Sequence, residues 1–127
     1  REGHKSRVRK LENELFPVFR EQRLGLIAFS PMDAGRLSSS YTAAPDSPLA
    51  VLHASLDKAA DTLGVTRAQV CVAWVLAHPE VTSVLAGPEH PDHVDEILAA
   101  LAINLPDEIR ENLDAAGLRY SREIERP

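Results

Sequence analysis

The chain has 127 residues, of which 44% are hydrophobic and 26% charged, and this composition predicts one soluble globular domain over residues 1–127. Its 19 acidic and 14 basic residues give a net charge of −5, and the basic ones concentrate in residues 1–23, which argues against a nucleic-acid partner. Apolar runs stay short of the roughly 18 residues of a membrane span and the first residues lack a signal-peptide core, so a cytoplasmic protein without membrane contact is expected.

The first predicted element is a helix over residues 7–22. Its apolar residues recur three to four positions apart, as on one face of a helix. Pro17 removes one backbone hydrogen bond within this stretch. The sequence therefore predicts either two short helices or a new first turn near Phe16.

Residues 24–29 (LGLIAF) form the predicted central strand. Apolar side chains follow one another here without alternation, which is typical of a parallel strand covered on both faces. Pro31 has no N–H for the ladder and ends the strand. Phe29, Ser30 and Met32 are thus predicted to lie at its carboxyl end, where parallel α/β folds bind their ligands.

A loop without apolar periodicity follows over residues 33–47, and loops of this length are usually functional or disordered. Ser47 and Pro48 are predicted to be the N-cap and first residue of a helix that carries one apolar stripe. Gly64 is the predicted end of that helix.

Thr66 and Gln69 have the spacing of a capping box and predict the start of another helix. Residues 70–77 contain no polar side chain, so this helix is expected to lie between the sheet and a further layer. Cys71 falls within this run and is the single cysteine, which predicts a buried, unreactive thiol and no intrachain disulfide.

A second apolar run at residues 81–87 predicts a strand parallel to the first, joined to it by a right-handed crossover. A helix is expected from about Pro91. A final helix is expected over residues 107–116, with Gly117 as its end. The charged residues 119–127 are predicted to form a flexible tail.

Three motifs now occur in order: IAFSPM at 27–32, AWVLAHP at 73–79 and VTSVLAG at 81–87. Together they resemble the C-terminal portion of an aldo-keto reductase, over about residues 11–118. The resemblance implies an α/β fold that is part of a (β/α)8 TIM barrel, with about two parallel strands, flanking helices and a C-terminal helix. A complete barrel of this kind needs roughly 250 residues.

In that family a nicotinamide dinucleotide, NAD(P)H, donates a hydride to a carbonyl. The resemblance places the catalytic Asp, Tyr, Lys and His on earlier strands, so no catalytic residue is assigned in this chain. It places Phe29 where an aromatic ring stacks on the nicotinamide, and Ser30 and Met32 where the ribose and pyrophosphate are contacted. Gly87 matches the glycine that opens the loop around the adenosine phosphate. Alternatively, Phe29 and Met32 are simple core residues.

Several residues depart from the family pattern around the adenosine end of this predicted site. Glu89 replaces a residue that faces the 2′-phosphate and would repel it, His93 replaces a Gln or Arg, and Ile97 replaces an adenine-binding Asn. Glu96 retains the acidic residue of the pattern. Asp33 adds a negative charge near the pyrophosphate position. The sequence thus predicts dinucleotide binding that is weakened, biased toward NAD, or lost.

His90 and His93 have the spacing of a metal pair but lack a third ligand at a matching distance, so no metal site is predicted. A solvated turn is the preferred interpretation of this pair.

Two functions remain open from the sequence. The chain is either the cofactor-binding half of a reductase or a non-redox remnant that acts as a binding or protein-interaction module. A two-stranded sheet has two open edges, and the apolar helix over residues 70–77 offers a further face. Either a homo-oligomer or a companion chain with the missing strands is therefore expected.

Overall fold

The computed structural model describes residues 11–124 of the chain. A π-helical turn (Leu11–Leu15) leads into the first α-helix, and a 3₁₀ turn (Ala100–Ala102) follows the fourth. The main elements in chain order are α1 (Phe16–Gln22), β1 (Leu26–Phe29), α2 (Pro48–Leu63), α3 (Arg67–Leu76), β2 (Val81–Leu85), α4 (Pro91–Ala99) and α5 (Asp107–Ile124). This order of helices and strands matches the predicted partial barrel. The predicted new turn at Phe16 is confirmed, because α1 begins there.

β1 and β2 form a parallel pair, as predicted. Leu26 lies opposite Val81 and Phe29 lies opposite Leu85. Because the two strands run in the same direction, both of their carboxyl ends reach the same edge of the sheet.

The register shifts by one residue at the start of the sheet, between Leu26 and Ile27. Thr82 occupies the extra position, and its hydroxyl oxygen accepts a hydrogen bond of 3.2 Å from the Leu26 N–H. A Cβ on Gly25 would lie 2.9 Å from the same oxygen. Glycine at position 25 therefore permits the close approach of the two chain segments at this bulge.

The prediction that β1 is buried on both faces is wrong for the chain as described. Burial alternates along β1, and the side chains of Ile27 and Phe29 are 62% and 56% exposed. On β2, Leu85 is 59% exposed. The physical reason is that the sheet within residues 11–124 has two strands, which do not cover their own apolar face.

Most buried side chains form one core cluster between α2, α3 and α5. α2 packs along α5 and against α3, and α3 also contacts β2 and α4. The core cluster consists of Leu52, Leu56, Ala59, Ala60, Val70, Cys71, Leu113 and Ala116. Residues 70–77 are all buried or half-buried, so their predicted position between the sheet and a further layer is confirmed. Within residues 11–124 the chain buries residues 70–73 fully and residues 74–77 partly.

The predicted caps of α2 and the predicted N-terminal cap of α3 are confirmed. The Ser47 hydroxyl accepts a 3.1 Å hydrogen bond from the Ala50 N–H at the start of α2, and Gly64 ends this helix at a φ of 66°. Thr66 and Gln69 form the complete capping box of α3, with hydrogen bonds of 3.2 and 3.0 Å.

α5 is longer than predicted. It continues through Gly117 and ends at Ile124. An interior glycine costs a helix about 1 kcal/mol relative to alanine, and packing of Tyr120 against the core cluster offsets this cost. Residues 119–124, predicted as a flexible tail, are thus the last turns of α5, and residues 125–127 lie outside the described part. Within residues 11–124 no helix combines the length and the apolarity needed to cross a membrane.

Candidate functional site

The strand ends converge on one edge of the sheet, which we call the carboxyl edge (residues 29–33 and 86–90). Phe29 is paired with Leu85, and Gly87 follows two residues later. One strand spacing plus two residues of chain limits the Cα distance between Phe29 and Gly87 to about 12 Å. The register thus brings together two of the segments that the sequence assigned to one site.

Phe29 and Ser30 face solvent at this edge. The Phe29 side chain is 56% exposed, so the alternative that it is a core residue does not hold in this chain. Ser30 adopts the left-handed conformation, with a φ of 56°, and its carbonyl accepts a 3.0 Å hydrogen bond from the Asp33 N–H. This turn directs the chain away from the sheet immediately after the aromatic ring.

Met32 lies in a different environment. It is half-buried and packs against the core cluster, and its carbonyl accepts hydrogen bonds of 3.1 Å from the N–H groups of Gly35 and Leu37. The core interpretation therefore fits the Met32 side chain. Its contribution to the carboxyl edge is to hold the first turn of the following loop.

Gly87 is exposed on the other side of the carboxyl edge. A Cβ at this position would meet no heavy atom of the described residues within 4 Å beyond its chain neighbours, and its φ lies outside the left-handed region. Neither packing nor backbone conformation within residues 11–124 requires glycine here. The main chain at Gly87 is accordingly open to a ligand that needs close approach.

Glu89 and His93 are exposed around the start of α4. The rings of His90 and His93 lie edge to face, with centroids 5.4 Å apart. No group of three His, Cys, Asp or Glu side chains within residues 11–124 has the arrangement of a metal site.

Glu96 turns toward the neighbouring helix. Its carboxylate accepts a 2.5 Å hydrogen bond from the Thr66 hydroxyl, and its carbonyl accepts one of 3.0 Å from Gln69 Nε2. Glu96 thus joins α4 to the capping box of α3. Ile97, beside it, is half-buried.

The loop that leaves β1 is held by three side chains that the sequence prediction missed. Tyr120 donates a 2.8 Å hydrogen bond to Asp33 Oδ2. His53 Nε2 donates one of 2.7 Å to the carbonyl of Arg36. Arg67 donates one of 2.9 Å to the carbonyl of Ser38, while its other nitrogens bind Asp57 at 2.8 and 2.7 Å.

Two of these side chains had a detectable signal in the sequence. His53 stands between Leu52 and Leu56, at the edge of the apolar stripe of α2. Tyr120 lies four residues after Ala116 and seven after Leu113, so it continues the apolar period of α5 beyond Gly117. Assigning Gly117 as the helix end hid this continuation.

Burial changes the pKa of two side chains, Tyr120 beside the loop and Cys71 in the core cluster. It raises the pKa of Tyr120 to about 12, and the hydrogen bond to Asp33 adds to this rise while Arg36 opposes it. Burial also raises the pKa of Cys71 to about 12, which keeps the thiol protonated and unreactive, as predicted.

The carboxyl edge therefore offers three chemical features. An exposed aromatic face suits a planar ring, a short hydroxyl side chain suits a sugar, and main chain without a side chain suits a phosphate at close range. Phe29 supplies the first feature at the end of β1, and the other two lie within two residues of a strand end.

The Aldo/keto reductase family model matches residues 6–117. An uncharacterized oxidoreductase, YrpG, of Bacillus subtilis is 31% identical over 117 residues, which are 84% of this chain and 36% of that protein. The NADH-specific methylglyoxal reductase of Escherichia coli is 29% identical over 115 residues, or 78% of this chain and 35% of the relative.

A solved structure gives the same result. The crystal structure of the thermostable aldo-keto reductase Tm1743 with the inhibitor epalrestat superimposes with a TM-score of 0.68 at 27% identity. The match covers 85% of this chain and 35% of that one. The chain thus spans about a third of the length of the relatives it matches.

Proposed function

This chain belongs to the aldo/keto reductase family, and we propose that it supplies the βα units that bind a nicotinamide dinucleotide for carbonyl reduction. When bound, the dinucleotide provides the hydride for that reaction. The single observation that carries the proposal is the parallel pairing of Phe29 with Leu85. Because of this pairing, Ser30 and Gly87, which follow the two strands, lie at the same edge of the sheet.

Each part of the dinucleotide has a matching feature in this proposal. The exposed Phe29 ring stacks on the nicotinamide, which requires only a flat apolar face. Ser30 and the main chain at Met32 contact the ribose and pyrophosphate. The open main chain at Gly87 and the start of α4 accept the adenosine phosphate.

The charge at the adenosine end favours NADH over NADPH. Glu89 is exposed two residues after Gly87, so its carboxylate repels a 2′-phosphate. Glu96 is itself an anion and accepts a hydrogen bond from Thr66, so it offers no counter-charge to a 2′-phosphate at this position. The similarity to an NADH-specific reductase supports the same preference.

We propose further that additional strands cover the apolar sheet. Ile27 and Leu85 are each more than half exposed, and each strand has one edge without a strand partner within residues 11–124. A second copy of the chain or a companion polypeptide with the earlier βα units fits this surface. The groups that protonate the carbonyl then belong to those units, since no residue of this chain is assigned that role.

A titration of the chain with NADH and NADPH tests the proposal. We expect binding of NADH at about 1 mM, equivalent to about −4.1 kcal/mol, and weaker binding of NADPH. Phe29→Ala should weaken NADH about threefold to tenfold, whereas Phe29→Tyr keeps the stacking face and serves as the matched control.

Two results would contradict the proposal. One is the absence of binding of either dinucleotide at about 10 mM. The other is equal affinity of the Phe29→Ala and Phe29→Tyr variants. Tighter binding of NADPH than NADH would overturn the assigned role of Glu89.

A further inference from the structure

A polar cluster at the carboxyl edge joins the last helix to the loop after β1. The Tyr120 hydroxyl of α5 donates to Asp33 Oδ2 at 2.8 Å, and the Arg36 guanidinium interacts electrostatically with both Tyr120 and Asp33. The phenol thus bridges a negative and a positive side chain. Tyr120 is 87 positions away from Asp33 in the sequence, so this contact forms only when α5 packs on the core.

The backbone of this segment needs restraint. Asp33, Ala34 and Gly35 are consecutive left-handed residues, with φ values of 48°, 54° and 86°. In the left-handed region the Cβ of a non-glycine residue comes close to the following carbonyl oxygen, so Asp33 and Ala34 are strained there. The Arg36 N–H closes the turn by donating to the Asp33 carbonyl at 3.1 Å. His53 Nε2 donates a hydrogen bond of 2.7 Å to the Arg36 carbonyl.

The charges of the cluster bear on the same edge. An aspartate beside a pyrophosphate repels it unless its charge is compensated. Here the Asp33 carboxylate accepts a hydrogen bond from Tyr120, and the exposed Arg36 side chain supplies a positive charge that interacts with both groups. The cluster therefore presents a compensated pair in place of an isolated negative charge.

We infer that Tyr120 is a positioning residue for the dinucleotide pyrophosphate: it holds Asp33 and Arg36 together, so that the loop after β1 accepts an anion despite its aspartate. This inference rests on the proposed function. It assigns Tyr120, Asp33 and Arg36 a joint role that depends on charge as well as on packing.

The test compares NADH affinity of the chain and its variants at about 20 mM and about 500 mM salt, since added salt screens an exposed charge. Tyr120→Phe should weaken NADH threefold to tenfold at low salt, and the ratio to the unmodified chain should fall toward one at high salt. Asp33→Asn should bind at least as tightly as the unmodified chain, and adding Tyr120→Phe to it should cost little. Tyr41→Phe, on the same loop, is the matched control and should change nothing.

Three outcomes would overturn the inference. Unchanged affinity of Tyr120→Phe, while the unmodified chain binds NADH, rejects it alone. If Tyr120→Phe weakens NADH binding equally in the Asp33→Asn background and at high salt, Tyr120 is a structural support only. Absence of NADH binding by the unmodified chain rejects the proposed function and this inference with it. If Tyr120→Phe fails to fold, Arg36→Gln replaces it, because removing the compensating cation should give the same salt-dependent loss.

Discussion

The helices and the strands of this chain differ in how far the chain itself buries their apolar side chains. On the helical side, Val70 and Leu56 are 0% and 3% exposed within the core cluster. On the strand side, Ile27 and Leu85 are 62% and 59% exposed although they are equally apolar. The same chain therefore contains a closed core and an open apolar sheet.

The difference follows from where each element finds its hydrogen bonds. A helix bonds internally and needs only one packed face, which α2, α3 and α5 provide for one another. A strand needs a neighbour at each edge and a cover on each face. Two strands meet neither need, and the matching part of this chain covers only about a third of the length of the relatives.

The largest expected effect comes from truncating one side chain on each side of this comparison. Leu56→Ala should lower the free energy of unfolding by about 2–5 kcal/mol, because it opens a cavity in the core cluster. At chain concentrations too low for association, Ile27→Ala removes a similar volume from the open sheet and should change the free energy of unfolding by at most about 0.5 kcal/mol. Urea unfolding of both variants measures this, and similar losses would show that the sheet is as well packed as the core.

The open sheet itself predicts association. Light scattering after size exclusion should give about twice the 13.9 kDa of one chain, or a larger multiple. Ile27→Lys and Leu85→Lys should each shift the mass toward one chain, because a charge on the strand opposes burial. Leu101→Lys, which alters an exposed leucine outside the sheet, is the control and should leave the mass unchanged. A folded monomer at about 10 μM would refute the association.

The closed core also predicts a pH dependence. Since burial raises the pKa of Cys71 from 9.0 to about 12, its contribution to stability is complete below pH 9 and is lost as the pH rises toward about 12. The free energy of unfolding should fall by up to about 1.4 kcal/mol per pH unit in this window. Cys71→Ala should flatten that slope, and an unchanged slope would assign it to other groups such as Tyr120.

The smallest effect is expected at the start of α3. Thr66→Ala removes the capping-box hydroxyl and the contact with Glu96, and should cost about 1 kcal/mol of unfolding free energy. Thr62→Ala removes a hydroxyl that binds the Lys58 carbonyl on the exposed side of α2, and is the control. Equal stabilities of the two variants would mean that the cap does not stabilise the closed core.

Local chemistry explains how much of the fold the sequence predicted. Caps and breakers such as Ser47, Gly64 and Thr66 act on their own helix, so the start and end of α2 and the start of α3 followed directly. The end of α5 did not, because Gly117 is tolerated where Tyr120 packs against the core. The burial of β1 was also wrong, since an apolar run does not reveal whether its cover lies within the same segment.

In the candidate site, too, local motifs were predicted and long-range contacts were not. Phe29, Ser30 and Gly87 were assigned from motifs, and the parallel register places their segments at one edge. The side chains of His53, Arg67 and Tyr120 form hydrogen bonds to the loop after β1 from the helices α2, α3 and α5. Each is separated from its loop partner by 17, 29 and 87 positions in the sequence, respectively. A local pattern carries no information on such pairs.

We propose that the carboxyl edge of the two open strands binds a nicotinamide dinucleotide. An NMR titration of the isotope-labelled chain with NADH tests this most directly, since each backbone amide reports separately. We expect the largest shift changes on residues 29–37 and 86–90, and little change in the core cluster. Absence of shift changes at about 5 mM NADH would contradict it. So would largest changes in the groove between α2 and α5, which is lined by Val51, Ser55, Ile109 and Asn112 among others.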